Sequence, residues 1–181
     1  LNIPAVKMLY LVGVDATIDL AEQLGYSSLG DRSRFGLALV LGGAEVSLLE
    51  HTNTFAVFAR EGVHHAPALI LEVRDRDGNT LEEWEDTPNQ VIEAEFARTL
   101  NSVLSDGGAR AGFNALNLSD RPVAAKTGTT NDYRDAWTMG YTPSLATGVW
   151  VGNNDNSEMA RGAAGLVVAA PIWNQYMNSV L

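Results

Sequence analysis

VAAKTGTTNDYRDAWTMGYTP, residues 123–143, is the stretch on which the reading of this chain turns. With its flanks it divides into three β-like segments, PVAAKTG, DAWTMGYTP and LATGVWVGNND, joined by turn-rich pieces at 130–134 and 142–144. A simple antiparallel meander fits that pattern. Within it, Lys126 offers a fixed positive charge, and Thr127 and Thr129 offer hydroxyl donors. Gly128 removes the side chain that would keep a ligand's backbone off the strand edge. Such an edge can take a peptide by strand addition and hold its carboxylate with Thr and Lys. A backbone N–H just past the glycine can act as an oxyanion donor, a group whose loss typically costs about 10²–10³ in rate. A bare Lys-Thr-Gly also describes a surface lysine before a turn, so the flanks carry the decision.

Working outward, Pro171 opens a terminal helix over 171–181, with Ile172, Tyr176 and Val180 on one stripe and Trp173, Met177 and Leu181 beside it. Upstream, Val91, Ile92, Phe96, Leu100, Val103 and Leu104 mark an amphipathic helix that Asp106-Gly107-Gly108 terminates. Thr87-Pro88-Asn89-Gln90 reads as its capping box. Residues 66–85 read as a β-hairpin with a two-residue Asp77-Gly78 turn. Ser47-Leu48-Leu49-Glu50 is a second capping box, ahead of Leu48, Thr52, Phe55 and Ala59 at helical spacing. Ala16–Leu24 reads as a short helix with Asp15 as N-cap and Gly25 just past its end, and Ile3–Val12 as an apolar helix closed by Gly13. Ser28–Gly43 is punctuated by glycine and resists assignment. Helices, then antiparallel strands, then a helix make an α+β pattern.

The 181 residues fit one domain, and the hydrophobic fraction of 46% speaks against disorder. Net charge is −10, which argues against nucleic acid and anionic membrane surfaces as partners. Without cysteine there is no disulfide or thiolate site. No stretch reaches the about 20 apolar residues of a membrane span. The opening LNIPAVKMLYLVG reads as the interior of something longer, and the chain is taken as a fragment.

AAKTGTTND, DAWTMGYTP and TGVWVGNND together resemble the third-motif region of the class A penicillin-binding proteins, the bifunctional peptidoglycan synthases. LGGAEVSLLEHTNTFAVFAREG resembles the helix before that family's small hairpin, and GGARAGF the segment before its motif strand. GAAGLVVAAPIWNQYM resembles the closing helix, and LNIPAVKM the residues that carry and follow the S-x-N motif. The resemblance runs through nearly the whole chain in order. It departs mildly at Ala125, where the family commonly has Gly, and at Gly107-Gly108, where Gly-Thr is usual. It implies a partial penicillin-binding/serine β-lactamase-like transpeptidase fold, residues 1–181 being the C-terminal half of one transpeptidase domain with the motif-bearing strands over 121–156. It implies serine D,D-transpeptidase activity on peptidoglycan stem peptides, acylation by β-lactams, no cofactor and no metal. The parent protein would be anchored at the extracytoplasmic face of the bacterial membrane. By motif matching, Lys126 and Thr129 are catalytic, and Asn2, Thr127, Gly128 and Thr129 bind substrate.

That machinery needs S-x-x-K, S-x-N and K-[ST]-G. The chain has two lysines, with Pro4 and Val123 three residues before them, so it holds no S-x-x-K, and no Ser has Asn two positions on. Leu1-Asn2 is read as the end of S-x-N, and the nucleophile is placed in the missing N-terminal part of the same domain, the chain's expected partner. Tyr176-Met177-Asn178 mimics a Y-x-N variant but follows Lys-Thr-Gly on a packed helix. His64-His65 after Glu61 could suggest a metal site, but adjacent side chains on a strand face opposite ways and no third ligand is evident. His51 is read as core or surface. Asp75, Asp77 and Asn79 echo a calcium loop, but Thr80 stands where Gly is needed. Neither a P-loop nor a nucleophile elbow is present. Trp137, Trp150 and Trp173 are read as packing, and Asp135 as shaping its loop. The competing readings are a non-catalytic peptidoglycan- or β-lactam-binding or scaffold module on the same fold, and a carboxypeptidase of the same superfamily.

Overall fold

The computed structural model describes residues 2–110 and 113–181. Leu1, and residues 111–112 within GGARAGF, lie outside the described residues. Helix α1 spans Asn2–Val12 and α2 Val14–Gln23. Asp15 sits inside the first turn of α2 rather than capping it, because Gly13, at φ 94°, makes the break between the helices. Gly25 does close α2: its N–H donates to Glu22 O at 3.0 Å, and Tyr26 N–H to Ala21 O at 3.1 Å. Those two reversed bonds, with φ 103° at Gly25, form a Schellman motif. The glycine-punctuated stretch contains two 3₁₀ turns, Arg32–Arg34 and Leu37–Leu41.

Helix α3, Leu48–Ala59, starts at the expected cap, with Glu50 N–H donating to Ser47 Oγ at 3.2 Å. The Glu50 carboxylate takes the Ser27 hydroxyl at 2.6 Å, which tethers the loop after α2 and holds its pKa below the ordinary range. Strand β1 is Val63–His64. The hairpin strands β2, Glu72–Arg74, and β3, Thr80–Glu83, are joined by a five-residue loop rather than a two-residue turn. Asp75 organises that loop, its carboxylate accepting from the N–H groups of Asp77 and Asn79 and from the Asn79 side chain.

The Thr87 capping box does not form. Residues 89–90 are extended instead, as strand β4, pairing antiparallel with β1. Val91 and Ile92 N–H groups both turn to Gly62 O, and the Gln90 side chain donates to Glu61 O and Ile92 O. These long-range bonds satisfy donors that a helix start would leave open. Helix α4 therefore begins later and spans Ala94–Ser105, with Glu93 at its N-cap.

The meander follows: β5 Ala124–Thr129, β6 Asp135–Thr142 and β7 Leu145–Gly152, antiparallel in the order β5-β6-β7. A π-helix, Gly165–Ala169, leads into α5, Ala170–Val180, with Pro171 in its first turn. Helix α3 covers one face of β6 and β7, and α4 joins it against β5; the π-helix and α5 cover the other face. Asn101 on α4 binds that first layer together, donating to Phe58 O at 2.9 Å and accepting from Tyr141 OH at 2.6 Å. On the second face Trp173 and Met177 are fully buried with Leu116, Val123, Ala125 and Ala170. The other stripe of α5, Ile172, Tyr176 and Val180, is exposed.

The second layer approaches closely at Gly140. A Cβ there would lie 2.3 Å from the Trp173 ring and 3.0 Å from Ala124 O. Gly140→Ala must push the indole aside and is expected to cost about 1–3 kcal/mol, the range for overpacked cores. At Gly128 an added Cβ meets only Trp137 Cβ, at 3.5 Å. Gly128→Ala should therefore change stability by less than about 1 kcal/mol, the span of strand preferences. Urea unfolding of the two variants side by side checks the contrast.

Candidate active site

Strand β5 is an outer strand of the sheet and carries Lys126-Thr127-Gly128-Thr129. Residues paired across an antiparallel ladder point to the same face. Lys126 and Gly128 stand opposite Met139 and Trp137, on the α3 side; Thr127 and Thr129 stand opposite Thr138 and Ala136, on the π-helix side. Ala124 and Ala125 at the start of the strand are buried, whereas Lys126 and Thr129 are exposed. The strand thus runs from the core to the surface, and its chemistry-bearing end is the accessible one. Ala125, one of the two departures noted in the sequence, packs its methyl into the Trp173 cluster.

Lys126 Nζ donates to Thr127 O. Its side chain is exposed to solvent, yet the surrounding protein desolvates it enough to lower its pKa from the ordinary 10.5. Thr129 Oγ1 accepts from Gly165 N–H at 3.0 Å. Among the described residues no acceptor takes the hydroxyl protons of Thr127 or Thr129. Gly128 has no positive φ and no close neighbour demanding its missing side chain.

The end of the strand is clasped by Thr130 and Asp135. Asp135 N–H donates to Thr130 Oγ1 at 2.7 Å, and Thr130 N–H to Asp135 O at 3.0 Å. The Asp135 carboxylate accepts from Trp150 Nε1 at 2.8 Å and from the Thr130 hydroxyl at 3.1 Å, so it shapes the loop. Asp132 and Tyr133 both take left-handed backbone, at φ 60° and 54°, a conformation costly for non-glycine residues. Contacts from the far loop hold them there: Met159 N–H donates to Tyr133 O at 3.1 Å, and Arg134 binds Asn156 O and Glu158.

On the Lys126 side of the sheet lies an aromatic cluster. His51 stands edge-on to Trp137 and Phe55, with ring centroids at 5.7 and 5.1 Å, and its Nδ1 lies 2.5 Å from Tyr26 OH. Burial lowers the His51 pKa and favours neutral imidazole. His51 and Phe55 are a turn apart on α3, but nothing local signals that Tyr26 and Trp137 join them. Asn2 stands exposed at the start of α1, which packs on α2 and the Leu37–Leu41 turn; it has no hydrogen bond to β5 among the described residues. The other candidates are otherwise engaged. His64 Nε2 lies 3.1 Å from Asn53 Nδ2, and His65 Nδ1 lies 2.5 Å from Asp86. Asn178 accepts from Ser119 N–H and Oγ, tying α5 to the loop before β5.

Residues 5–178 match the family of the penicillin binding protein transpeptidase domain. The chain belongs to this family. Penicillin-binding protein 1A of Aquifex aeolicus is 35% identical over 184 residues, 99% of this chain and 24% of that protein. PonA1 of Mycobacterium tuberculosis, solved in complex with penicillin V, is 31% identical at a TM-score of 0.77, over 92% of this chain and 49% of that one. Penicillin-binding protein 1A of Haemophilus influenzae superposes at a TM-score of 0.82, with 26% identity over 98% of this chain and 32% of that one. The chain thus spans about a quarter of the length of the curated relatives it matches. The α+β transpeptidase fold and the likeness to class A penicillin-binding proteins read from the sequence both stand. No helix among the described residues is long and apolar enough to cross a membrane.

Desolvation favours the neutral amine, so in this transpeptidase-family chain Lys126 is expected to lose its proton at a pH below 10.5. With two lysines in the sequence, side-chain NMR titration assigned by a Lys126→Arg variant measures it directly. A midpoint at or above 10.5 contradicts the environment described.

Proposed function

We propose that this chain supplies the Lys-Thr-Gly half of a serine D,D-transpeptidase site whose nucleophile lies in an upstream part of the same domain. The exposure of Lys126 and Thr129 on an outer strand whose inner half is buried carries this reading. Three further features support it. The threonine hydroxyls have protons to give, Gly128 has no packing reason to be glycine, and no S-x-x-K exists in these residues.

In this reading the upstream serine attacks the carbonyl of a D-Ala-D-Ala stem peptide. D-Ala leaves, and an amine of a neighbouring stem peptide takes the acyl group. β-Lactams enter as mimics of the donor and leave a long-lived acyl-enzyme, in keeping with the penicillin V complex of the related PonA1. Lys126 gives positive charge and proton-relay support beside the serine of the second motif. Its lowered pKa suits a group that must share protons. Thr127 and Thr129 hold the donor carboxylate through their hydroxyls, charge-assisted bonds of the stronger kind. Thr129 N–H joins the nucleophile's own amide in the oxyanion hole, Gly128 keeps the edge open to the extended substrate, and Asn2 binds the donor's amide. The parent protein works at the extracytoplasmic face of the cell membrane.

Intact-mass labelling by penicillin tests the reading, comparing this chain with a product extended upstream through the S-x-x-K and S-x-N motifs. One adduct on the longer product alone is the expected result. No adduct on either points to a binding or scaffold module, and an adduct on this chain places the nucleophile within it. In the longer product Lys126→Ala should slow acylation by about 10²-fold or more, the size of loss seen when a fixed donor is removed. Near-normal acylation by that variant sinks the assignment of Lys126.

A further inference from the structure

Gly165 opens the π-helix and lies across the strand pair formed by Gly128 and Trp137. Its N–H donates to Thr129 Oγ1 at 3.0 Å, and its carbonyl accepts from the buried Thr138 hydroxyl at 3.3 Å. A Cβ at position 165 would stand 2.4 Å from both Gly128 O and Trp137 O, and 3.2 Å from Trp137 N. Side chains do not fit at such distances, and backbone on both strands cannot swing away as a side-chain tip can. Glycine at 165 is therefore what lets the π-helix reach the motif strand.

The bond to Thr129 has a direction with chemical consequences. A hydroxyl has one proton to donate and two lone pairs. An amide N–H can only donate, so that of Gly165 occupies a lone pair of Thr129 and leaves the proton free. The exposed Thr129 is thereby held as an outward hydrogen-bond donor rather than an acceptor. A donor is what a carboxylate requires; an acceptor oxygen aimed at the same anion would repel it. The Thr138 bond to the Gly165 carbonyl, on the other side of the Cα, anchors the same residue in place.

We propose that Gly165 is a positioning residue that orients the Thr129 hydroxyl as a donor to the carboxylate of the bound substrate. The inference rests on Thr129 binding that carboxylate, as in the function proposed above. The test compares acylation of the full parent protein by benzylpenicillin and by its methyl ester, which lacks the anion. Gly165→Ala is expected to lower the second-order rate with benzylpenicillin by about 10-fold or more, the scale of a lost hydrogen bond to a charged group. The ester's slower rate should fall by a smaller factor, since the added methyl also presses on the motif strand. Thr138→Val adds nothing to the crowded contact and should shift the same selectivity by a smaller factor, which covers the case in which Gly165→Ala does not fold. Thr129→Val should lose the preference for the free acid, and Thr129→Ser, which keeps the hydroxyl, should retain that preference. Equal losses with acid and ester in the Gly165 and Thr138 variants mark a structural role only and overturn the inference, as does the absence of any loss. A wild-type protein that reacts with neither compound removes the transpeptidase reading, and this inference with it.

Discussion

Two helical layers close on the three-stranded sheet at distances that exclude side chains, and the rest of the structure follows from that contact. Trp173 on α5 rests on Gly140, and Gly165 on the carbonyls of Gly128 and Trp137. On the opposite face, Thr52 and Leu48 of α3 reach Gly148 in the same way. Glycine in a strand interior gives up conformational stability, so its presence at such points reflects close approach rather than strand preference. Held this way, β6 has a neighbour on each side, while β5, like β7, keeps one edge unpaired among the described residues. The exposed end of β5 carries Lys126 and Thr129.

Electrostatics and loop geometry sharpen that end of the strand. The chain is acidic overall, yet Asp135, the carboxylate that opens β6 across the turn from the motif strand, is committed to Trp150 and Thr130. The motif's cation is thus not neutralised by that neighbour and is partly desolvated instead. The left-handed pair Asp132 and Tyr133 stores backbone strain immediately after the motif, balanced by bonds from residues 156–159. Strain of this kind persists where surrounding structure over-determines it, and here it fixes the exit of β5 relative to the loop before the π-helix.

Where a signal was local, the amino-acid order was enough to read it. The Ser47 cap, the Gly25 stop, the hairpin's chain reversal and the three-segment meander each depend on neighbours within a few residues or on a strong strand pattern. The Thr87 box failed because Gly62, far back in the chain, offers its carbonyl to Val91 and Ile92 and makes the extended form better bonded. The aromatic group of Tyr26, His51, Phe55 and Trp137 was invisible for the same reason, its members coming from three separate elements.

The order of residues by itself determined the α+β class, the Lys-Thr-Gly-Thr strand, the absence of S-x-x-K and the kinship with transpeptidase domains, because motif spacing and strand periodicity are properties of the chain alone. Only the tertiary structure decided which end of that strand is open, and which side of α5 is buried. It alone brought Gly165, 36 residues downstream, onto the hydroxyl of Thr129. A glycine in GAAGLVV carries no local sign of a partner, since its role lies in the side chain it lacks and in backbone groups every residue has. What such a position contributes is set by the two strands packed against it.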